Sequence, residues 1–326
     1  MEHGLSLLPR YKNILLGDET AAYLVCKNQT TDYTDAMTTT ELWTRHNNPH
    51  PSTGHDHHNL LDLKCTIADR ILSSCTLCER RCHTDRHRSP GACHTQDTCI
   101  ATEFIHHGEE PPLTPSHTIF FSGCPLHCAF CQNGDISQTA TGTTIPPPRL
   151  AQTITQRHTQ GARNVNWVGG DPTPNLPYIL TVLSHLNLNI PQIWNSNMYC
   201  SHETMQLLAG TIDLYLTDYK FGNDTCARRL ADAPNYTTVV QRNHLHAAKT
   251  GDILIRHLLL PHHTDCCTKP ILDWIATHLP TAAVNIMAQY HPDHHATDHP
   301  DLQTTITTNE YHTALDYADT LGLHHI

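Results

Sequence analysis

From about residue 116 the chain alternates two patterns: short β-rich apolar runs, and longer stretches whose apolar residues recur at helical spacing. The runs are SHTIFFSG ending near Gly123, ARNVNWVGG ending near Gly170, IPQIWNSN ending near Asn197, IDLYLTDYK ending near Lys220, DILIRHLLLP ending near Leu260 and AVNIMAQY ending near Tyr290. Between them RLAQTITQRHTQ, LPYILTVLSHL, HETMQLLAG, TVVQRNHLHAAK and PILDWIATHL carry apolar residues at helical period, and several stop close to Gly or Pro. Strands alternating with helices read as βα units feeding a parallel sheet. Six such units predict an α/β fold, an open or partial (β/α)6 barrel short of the closed eight-stranded form.

The flanking pieces read differently. Residues 1–60 are polar and rich in His and Thr, and RHNNPHPSTGHDHH has no apolar period, so it reads as a loop whose histidines reflect compositional bias or bind metal. Residues 61–115 form a Cys-rich metal-binding segment, residues 116–291 the barrel, and residues 292–326 a C-terminal helical extension. At 326 residues the chain can bury a full core as one large domain with an appendage.

Polar residues collect where the runs end. A cysteine loop follows the first, Gly169 to Pro174 (GGDPTP) the second; Asn195 and Asn197 end the third, Asp218 and Lys220 the fourth, and Gln289 the sixth. In parallel α/β barrels the C-terminal strand ends converge on one mouth, where reactive groups gather. Each of these residues alone has a plain structural role, such as a turn at Gly169 and Gly170 or a helix cap at Asp171. Their coincidence on one rim points to a site.

Formal net charge is −11 with histidines neutral, so no broad basic surface exists to neutralise a phosphate backbone, and nucleic acid is not expected as a partner. The start MEHGLSLLPRYKNILL interrupts its apolar residues with Pro9, Arg10, Lys12 and Asn13, unlike a signal peptide, and no run of eighteen apolar residues suggests a membrane span. Many of the fourteen cysteines cluster at spacings of two to four, unlike dispersed disulfide partners, which predicts a reducing, cytoplasmic setting.

The densest chemistry is FFSGCPLHCAFCQNGDISQ, with Cys124, Cys128 and Cys131 in a CxxxCxxC spacing. Three thiolates from one short loop can hold three corners of a cuboidal 4Fe-4S cluster and leave the fourth iron without a protein ligand. Zinc is the alternative, but a structural zinc site normally closes with four ligands. Upstream, CTLCERRCHTDRHRSPGAC places Cys75, Cys78, Cys82 and Cys93 close enough to close a second metal site, either zinc or an auxiliary iron-sulfur cluster. The remaining cysteines, including Cys200, Cys266 and Cys267, read as small core residues or idle thiols. Arg256 sits mid-run among apolar residues, where burial demands a partner.

The CxxxCxxC loop with Phe130 before its last cysteine, followed by a Gly-Gly-acid-Pro strand end, resembles the radical S-adenosylmethionine (SAM) superfamily. More narrowly, FSGCPLHCAFCQNGDISQ, WVGGDPTP, WNSNMY, DLYLTDYKFG, IRHLLLP and MAQY, within roughly residues 75 to 291, are similar to the pyruvate formate-lyase activating enzyme-like group. The resemblance implies a partial barrel of radical SAM type, a 4Fe-4S cluster on Cys124, Cys128 and Cys131, and SAM chelated by the open iron. It implies that Gly169, Gly170 and Asp171 meet the SAM amino group, although the family more often carries glutamate where Asp171 stands. Asn195 and Asn197 suit ribose or carboxylate groups, a structural turn being the alternative. Asp218 and Lys220 resemble the Asp-x-Lys of glycyl-radical activases, whose ammonium would meet the SAM carboxylate; a plain ion pair would span the same positions. For Arg256 the partner is SAM or an internal carboxylate. The implied function is reductive cleavage of SAM to a 5′-deoxyadenosyl radical that abstracts a hydrogen atom from a glycine of a partner enzyme, with an electron donor such as flavodoxin or ferredoxin. Two alternatives stay open: the same chemistry on a small molecule or peptide with an auxiliary cluster, and a non-enzymatic iron-sulfur electron carrier.

Overall fold

The computed structural model describes residues 2–49 and 58–326. Most of the His-rich stretch expected to be a loop, residues 50–57, lies outside the described residues. One eight-stranded sheet dominates, its strands in sequence order across the sheet: β1 (Ile100–His106), β2 (Ser116–Phe121), β3 (Val165–Gly169), β4 (Gln192–Ser196), β5 (Leu214–Asp218), β6 (Asp252–Leu258), β7 (Ala283–Met287) and β8 (His324–His325). Every pairing is parallel except β1 with β2. The six apolar runs become β2 to β7, the partial barrel expected from the sequence. Strands buried on both faces read as continuous apolar runs because helices cover the outside and the barrel interior covers the inside.

The intervening helices follow their apolar periods: α5 (Pro147–Thr159), α6 (Leu176–His185), α7 (His202–Leu208), α8 (Asp224–Ala231), α9 (Tyr236–Thr250) and α10 (Lys269–His278), preceded by α1 (Pro9–Leu16), α2 (Ala22–Asn28), α3 (Thr39–Asn47) and α4 (Leu60–Leu72), and followed by α11 (Thr308–Thr320). Local signals set their ends. Thr38 and Thr307 close capping boxes with Glu41 and Glu310, and the Asn223 side chain accepts from Cys226 N at the start of α8.

Two features depart from the expectation. The sheet starts before residue 116, because Ile100–His106 pairs antiparallel with β2 as an edge strand whose half-exposed positions mute its hydrophobic signal. The described part of the first 60 residues, though polar in composition, packs into the body of the fold. Leu8 and Tyr11 are fully buried against inward-facing Ile193, Leu214, Leu216 and Leu254 of β4, β5 and β6. Tyr11 donates its backbone N–H to Asp252, Ala22 donates to Asp213, and the Asn164 amide donates to the Tyr11 hydroxyl. Asp213 and Asp252 stand at the N-terminal strand ends, so α1 stoppers the end of the barrel opposite the mouth. Leu5, Leu8, Tyr11 and Leu15 recur at helical spacing, but Pro9, Arg10, Lys12 and Asn13 dilute the stripe that carries the burial.

Above this apolar plug lies a polar layer. The loop after β1 sends Glu109 and Glu110 across the barrel: Glu110 accepts from Arg256 Nε (2.7 Å) on β6 and Asn285 Nδ2 (2.8 Å) on β7, while Glu109 accepts from Asn166 Nδ2 (2.9 Å) on β3 and from an Arg256 Nη2. Arg256 therefore has internal carboxylates as its partners, one of the two readings its sequence position left open. Among the described residues no helix is long and apolar enough to cross a membrane.

Candidate functional site

A cavity of about 290 Å³ opens above this layer at the C-terminal ends of the strands. Cys124, Cys128 and Cys131 line it, together with Gly169, Gly170, Asp171, Asn195, Asn197, Asp218, Lys220, Arg256 and Gln289. Of the strand-end segment GGDPTP, Gly169, Gly170 and Asp171 line this space and Pro172 to Pro174 do not; the polar residues named at the other strand ends all meet in it. The parallel register accounts for it, since consecutive strands paired in order place their last residues side by side on one rim.

The cysteine loop is held from several sides. His127 N and Ala129 N donate to the carbonyls of Ala231 and Leu230 at the end of α8, and Phe130 packs on Phe221 and Tyr290 with ring centroids 6.0 Å away in each case. Gly123, at φ +90°, passes so near the upstream segment that a Cβ would come within 2.0 Å of Thr95 Oγ1, and Cys124 N donates to Cys93 O at 3.2 Å. The glycines of the second strand end serve the same closeness: a Cβ on Gly170 would meet Gly123 O at 2.5 Å, while Gly170 N and Asp171 N donate to Phe121 O and Gly123 O.

Asp171 is buried, and its carboxylate accepts from Thr173 N, Ser196 Oγ and Asn197 N, each at 2.9 Å. Burial pushes its pKa up against these hydrogen bonds. It thus fixes the end of β4, and Asn197 in turn donates its amide to Cys124 Sγ at 3.3 Å, where Leu126 N also donates at 3.4 Å. Asn195 faces the cavity with no side-chain hydrogen-bond partner among the described residues. Lys220 Nζ holds Asp218 Oδ2 at 2.6 Å, and its backbone N–H donates to the Tyr236 hydroxyl. Burial works against the ammonium, but Asp218 and the neighbouring thiols of Cys128 and Cys131 more than offset it and hold the Lys220 pKa above that of an ordinary lysine.

Burial also drives the Cys124 thiol well above its usual pKa and pushes Cys128 up to about 12, so thiolates there call for a cationic partner. A single tetrahedral zinc with bonds of about 2.3 Å would draw its sulfurs to roughly 3.8 Å of one another. No three of the sulfurs of Cys124, Cys128 and Cys131 lie within 4.8 Å of one another. N–H donors from Asn197 and Leu126 aimed at Cys124 Sγ are the kind of hydrogen bond that tunes a sulfur ligand of iron.

Cys75, Cys78, Cys82 and Cys93 are neighbours too. A Cβ on Gly91 would sit 3.4 Å from Cys82 Sγ and 3.5 Å from Cys93 Sγ, and Cys78 feels the charges of Cys93, Cys75 and Cys82. Here again no three sulfurs lie within 4.8 Å of one another. Burial raises Cys78 to about 12, whereas at Cys82 the burial penalty is outweighed by hydrogen bonds from Thr84 and Ala92 N–H, which lower its pKa.

A further group went unnoticed in the sequence. Ligand atoms of Cys226, His263, Cys266 and Cys267 all lie within 4.8 Å of one another, so Cys266 and Cys267, read above as core or idle thiols, share a tight cluster. No local motif announces it, because Cys226 comes from α8 and the others from the loop after β6.

Comparison with known proteins agrees with this picture. A description of the radical SAM superfamily matches residues 118–275. The uncharacterised protein MJ0674 of Methanocaldococcus jannaschii is 42% identical over 333 residues, covering 97% of this chain and 98% of that one. Two structures of SuiB from Streptococcus suis, one bound to S-adenosylmethionine and one to the precursor peptide SuiA, align at 13% and 14% identity, each with a TM-score of 0.48, over 62% of this chain. The chain spans under half of those structures, 47% and 46% respectively. A CxxxCxxC loop set into the mouth of a partial parallel barrel, the family match across that barrel and the full-length relative lead to one assignment: the chain belongs to the radical SAM superfamily.

Proposed function

We propose that the protein is a radical SAM enzyme whose substrate gives up a hydrogen atom in the cavity at the barrel mouth. The observation that carries this reading is the convergence of Cys124, Cys128 and Cys131 with polar groups of four strand ends on one space. Cys124, Cys128 and Cys131 would hold a 4Fe-4S cluster, which when bound supplies one electron to SAM and so releases methionine and a 5′-deoxyadenosyl radical. The protein's own part is placement. Lys220 offers its remaining N–H donors to the SAM carboxylate while Asp218 orients it. The strand end at Gly169 and Gly170 presents backbone to the amino group, and Asn195 offers an unpaired amide to the ribose. Asp171 is a positioning residue, acting through Asn197 on Cys124. Gln132 Nε2 donates to Gln289 O, tying the cysteine loop to the end of β7.

For the substrate, the Asp218–Lys220 pair favours the activase reading, in which a glycine of a partner enzyme is the hydrogen donor and flavodoxin or ferredoxin the reductant. A second reading, a small-molecule or peptide substrate, is favoured by the neighbouring thiols of Cys75, Cys78, Cys82 and Cys93, which could hold an auxiliary cluster and whose segment bonds to Cys124 N through Cys93 O. Anaerobic incubation of reconstituted protein with SAM and reductant should yield 5′-deoxyadenosine; no product would sink the radical assignment. Deuterated candidate partners then separate the readings by label appearing in the nucleoside. Iron in protein carrying Cys124→Ala, Cys128→Ala and Cys131→Ala should fall to about four per chain if the upstream group holds an auxiliary cluster, and to none if it does not.

A further inference from the structure

We propose that Cys226, His263, Cys266 and Cys267 hold a single tetrahedral zinc ion that staples α8 to the loop after β6, separate from the iron chemistry of the mouth. His263 Nδ1 lies 3.7 Å from Cys226 Sγ, 3.4 Å from Cys266 Sγ and 3.6 Å from Cys267 Sγ, and Cys266 Sγ is 3.9 Å from Cys267 Sγ. A zinc with Zn–S of about 2.3 Å and Zn–N of about 2.0–2.1 Å sets its ligand atoms roughly 3.5–3.8 Å apart at tetrahedral angles. The observed separations match that cage.

The surroundings are those of a metal site. Asp301 Oδ2 lies 2.9 Å from His263 Nε2. A carboxylate only accepts, so Nε2 carries the proton and Nδ1 presents its lone pair to the sulfurs, the arrangement that fixes a ligating imidazole. Asp301 is itself gripped by both Nη groups of Arg229 on α8. Asn223 Nδ2 donates toward Cys226 Sγ at 3.3 Å and Cys267 Sγ at 3.7 Å, as expected of a group stabilising thiolate charge.

Adjacent cysteines seldom point at one centre, since successive residues of an α-helix diverge by about 100°. Here residues Thr264–Thr268 form a widened turn in which Cys267 N and Thr268 N both bond His263 O, and this swings Cys266 and Cys267 toward the same imidazole. Gly222 lets the β5 loop close over it, because a Cβ there would meet Cys267 O at 2.5 Å. Cys226, His263 and Cys267 are buried and Cys266 is exposed. Four protein ligands leave no open position, so the ion is structural. It would brace Phe221, which packs on Phe130 of the cysteine loop.

Elemental analysis of the purified chain should find zinc, retained when Cys124→Ala, Cys128→Ala and Cys131→Ala remove the mouth cluster, and reduced by one equivalent in the double variant Cys266→Ser, Cys267→Ser. Should the double variant fail to fold, Co²⁺ exchanged into the unmodified chain gives a second readout: tetrahedral d–d bands with sulfur-to-cobalt charge transfer, weakened in Cys266→Ser alone. Zinc content unchanged in the double variant, iron in place of zinc at these ligands, absence of the tetrahedral cobalt spectrum, or a disulfide among Cys226, Cys266 and Cys267 by thiol counting overturns the proposal.

Discussion

Lys220 shows how a single residue joins scaffold to site. Its ammonium holds Asp218 at 2.6 Å beside the cysteine loop, yet keeps donors for the cavity it lines. A hydrogen bond to a charged group contributes about 1.5–3 kcal/mol, so Lys220→Ala should weaken SAM binding by roughly ten- to hundredfold, read by equilibrium dialysis, with little change in iron content. Asn197 works on the other side of the loop. Its N–H···S bond to Cys124 draws charge from the sulfur, and removing it in Asn197→Leu should shift the cluster potential to more negative values, followed by an EPR-monitored redox titration. The Asp-x-Lys spacing already pointed to Lys220, whereas the role of Asn197 is not visible in the sequence, where it reads equally as a turn residue; the sulfur it bonds is 73 positions away.

At the level of elements, the end of β3 and the cysteine loop are packed backbone to backbone. Gly170→Ala would force a Cβ against Gly123 O, at 2.5 Å, with no flexible side chain to yield. Overpacking of this kind costs about 1–3 kcal/mol, and it should lower Tm and cluster occupancy together. Helix α1 offers the opposite test. Leu8 is fully buried against the strands it plugs, so Leu8→Ala should cost about 2–5 kcal/mol in denaturant unfolding while leaving the mouth's SAM affinity near that of the parent. The six strand runs were legible because burial on both faces writes a continuous apolar signal. The edge strand Ile100–His106 and the diluted stripe of α1 were not, because partial exposure in one and interspersed charge in the other blur the period.

Across the whole molecule the barrel interior is layered, an apolar plug below, an ion-paired layer in the middle and the cavity above. The middle layer depends on Arg256, because Glu109 and Glu110 are both buried and share it. At Glu110 burial opposes the charge, but Arg256 prevails and holds the pKa below its usual value. The stability this contributes is therefore present above the unfolded carboxyl pKa of about 4.3 and is lost as pH falls through the lowered folded value. Arg256→Met strands two buried carboxylates and should destabilise the fold by about 3–5 kcal/mol at pH 7. In that variant the sign reverses at Glu110: burial, no longer opposed by Arg256, raises its pKa, the folded state takes up a proton more readily than the unfolded chain, and part of the loss should return as pH is lowered from 7 toward 5. Chemical denaturation of parent and variant across that range checks both directions.

What the chain's own order of residues determined is the local part: apolar period for β2 to β7 and their helices, three thiols in one loop, and polar residues at strand ends that parallel pairing must bring to one rim. Tertiary structure alone decided which charges meet across the barrel, how α1 closes its far end, and that Cys226 and His263, 37 positions apart, face each other through Cys266 and Cys267. The reason is geometric. Periodicity and spacing act over a few residues, whereas the meeting of distant side chains depends on strand register and the path of loops, which no short stretch of sequence contains.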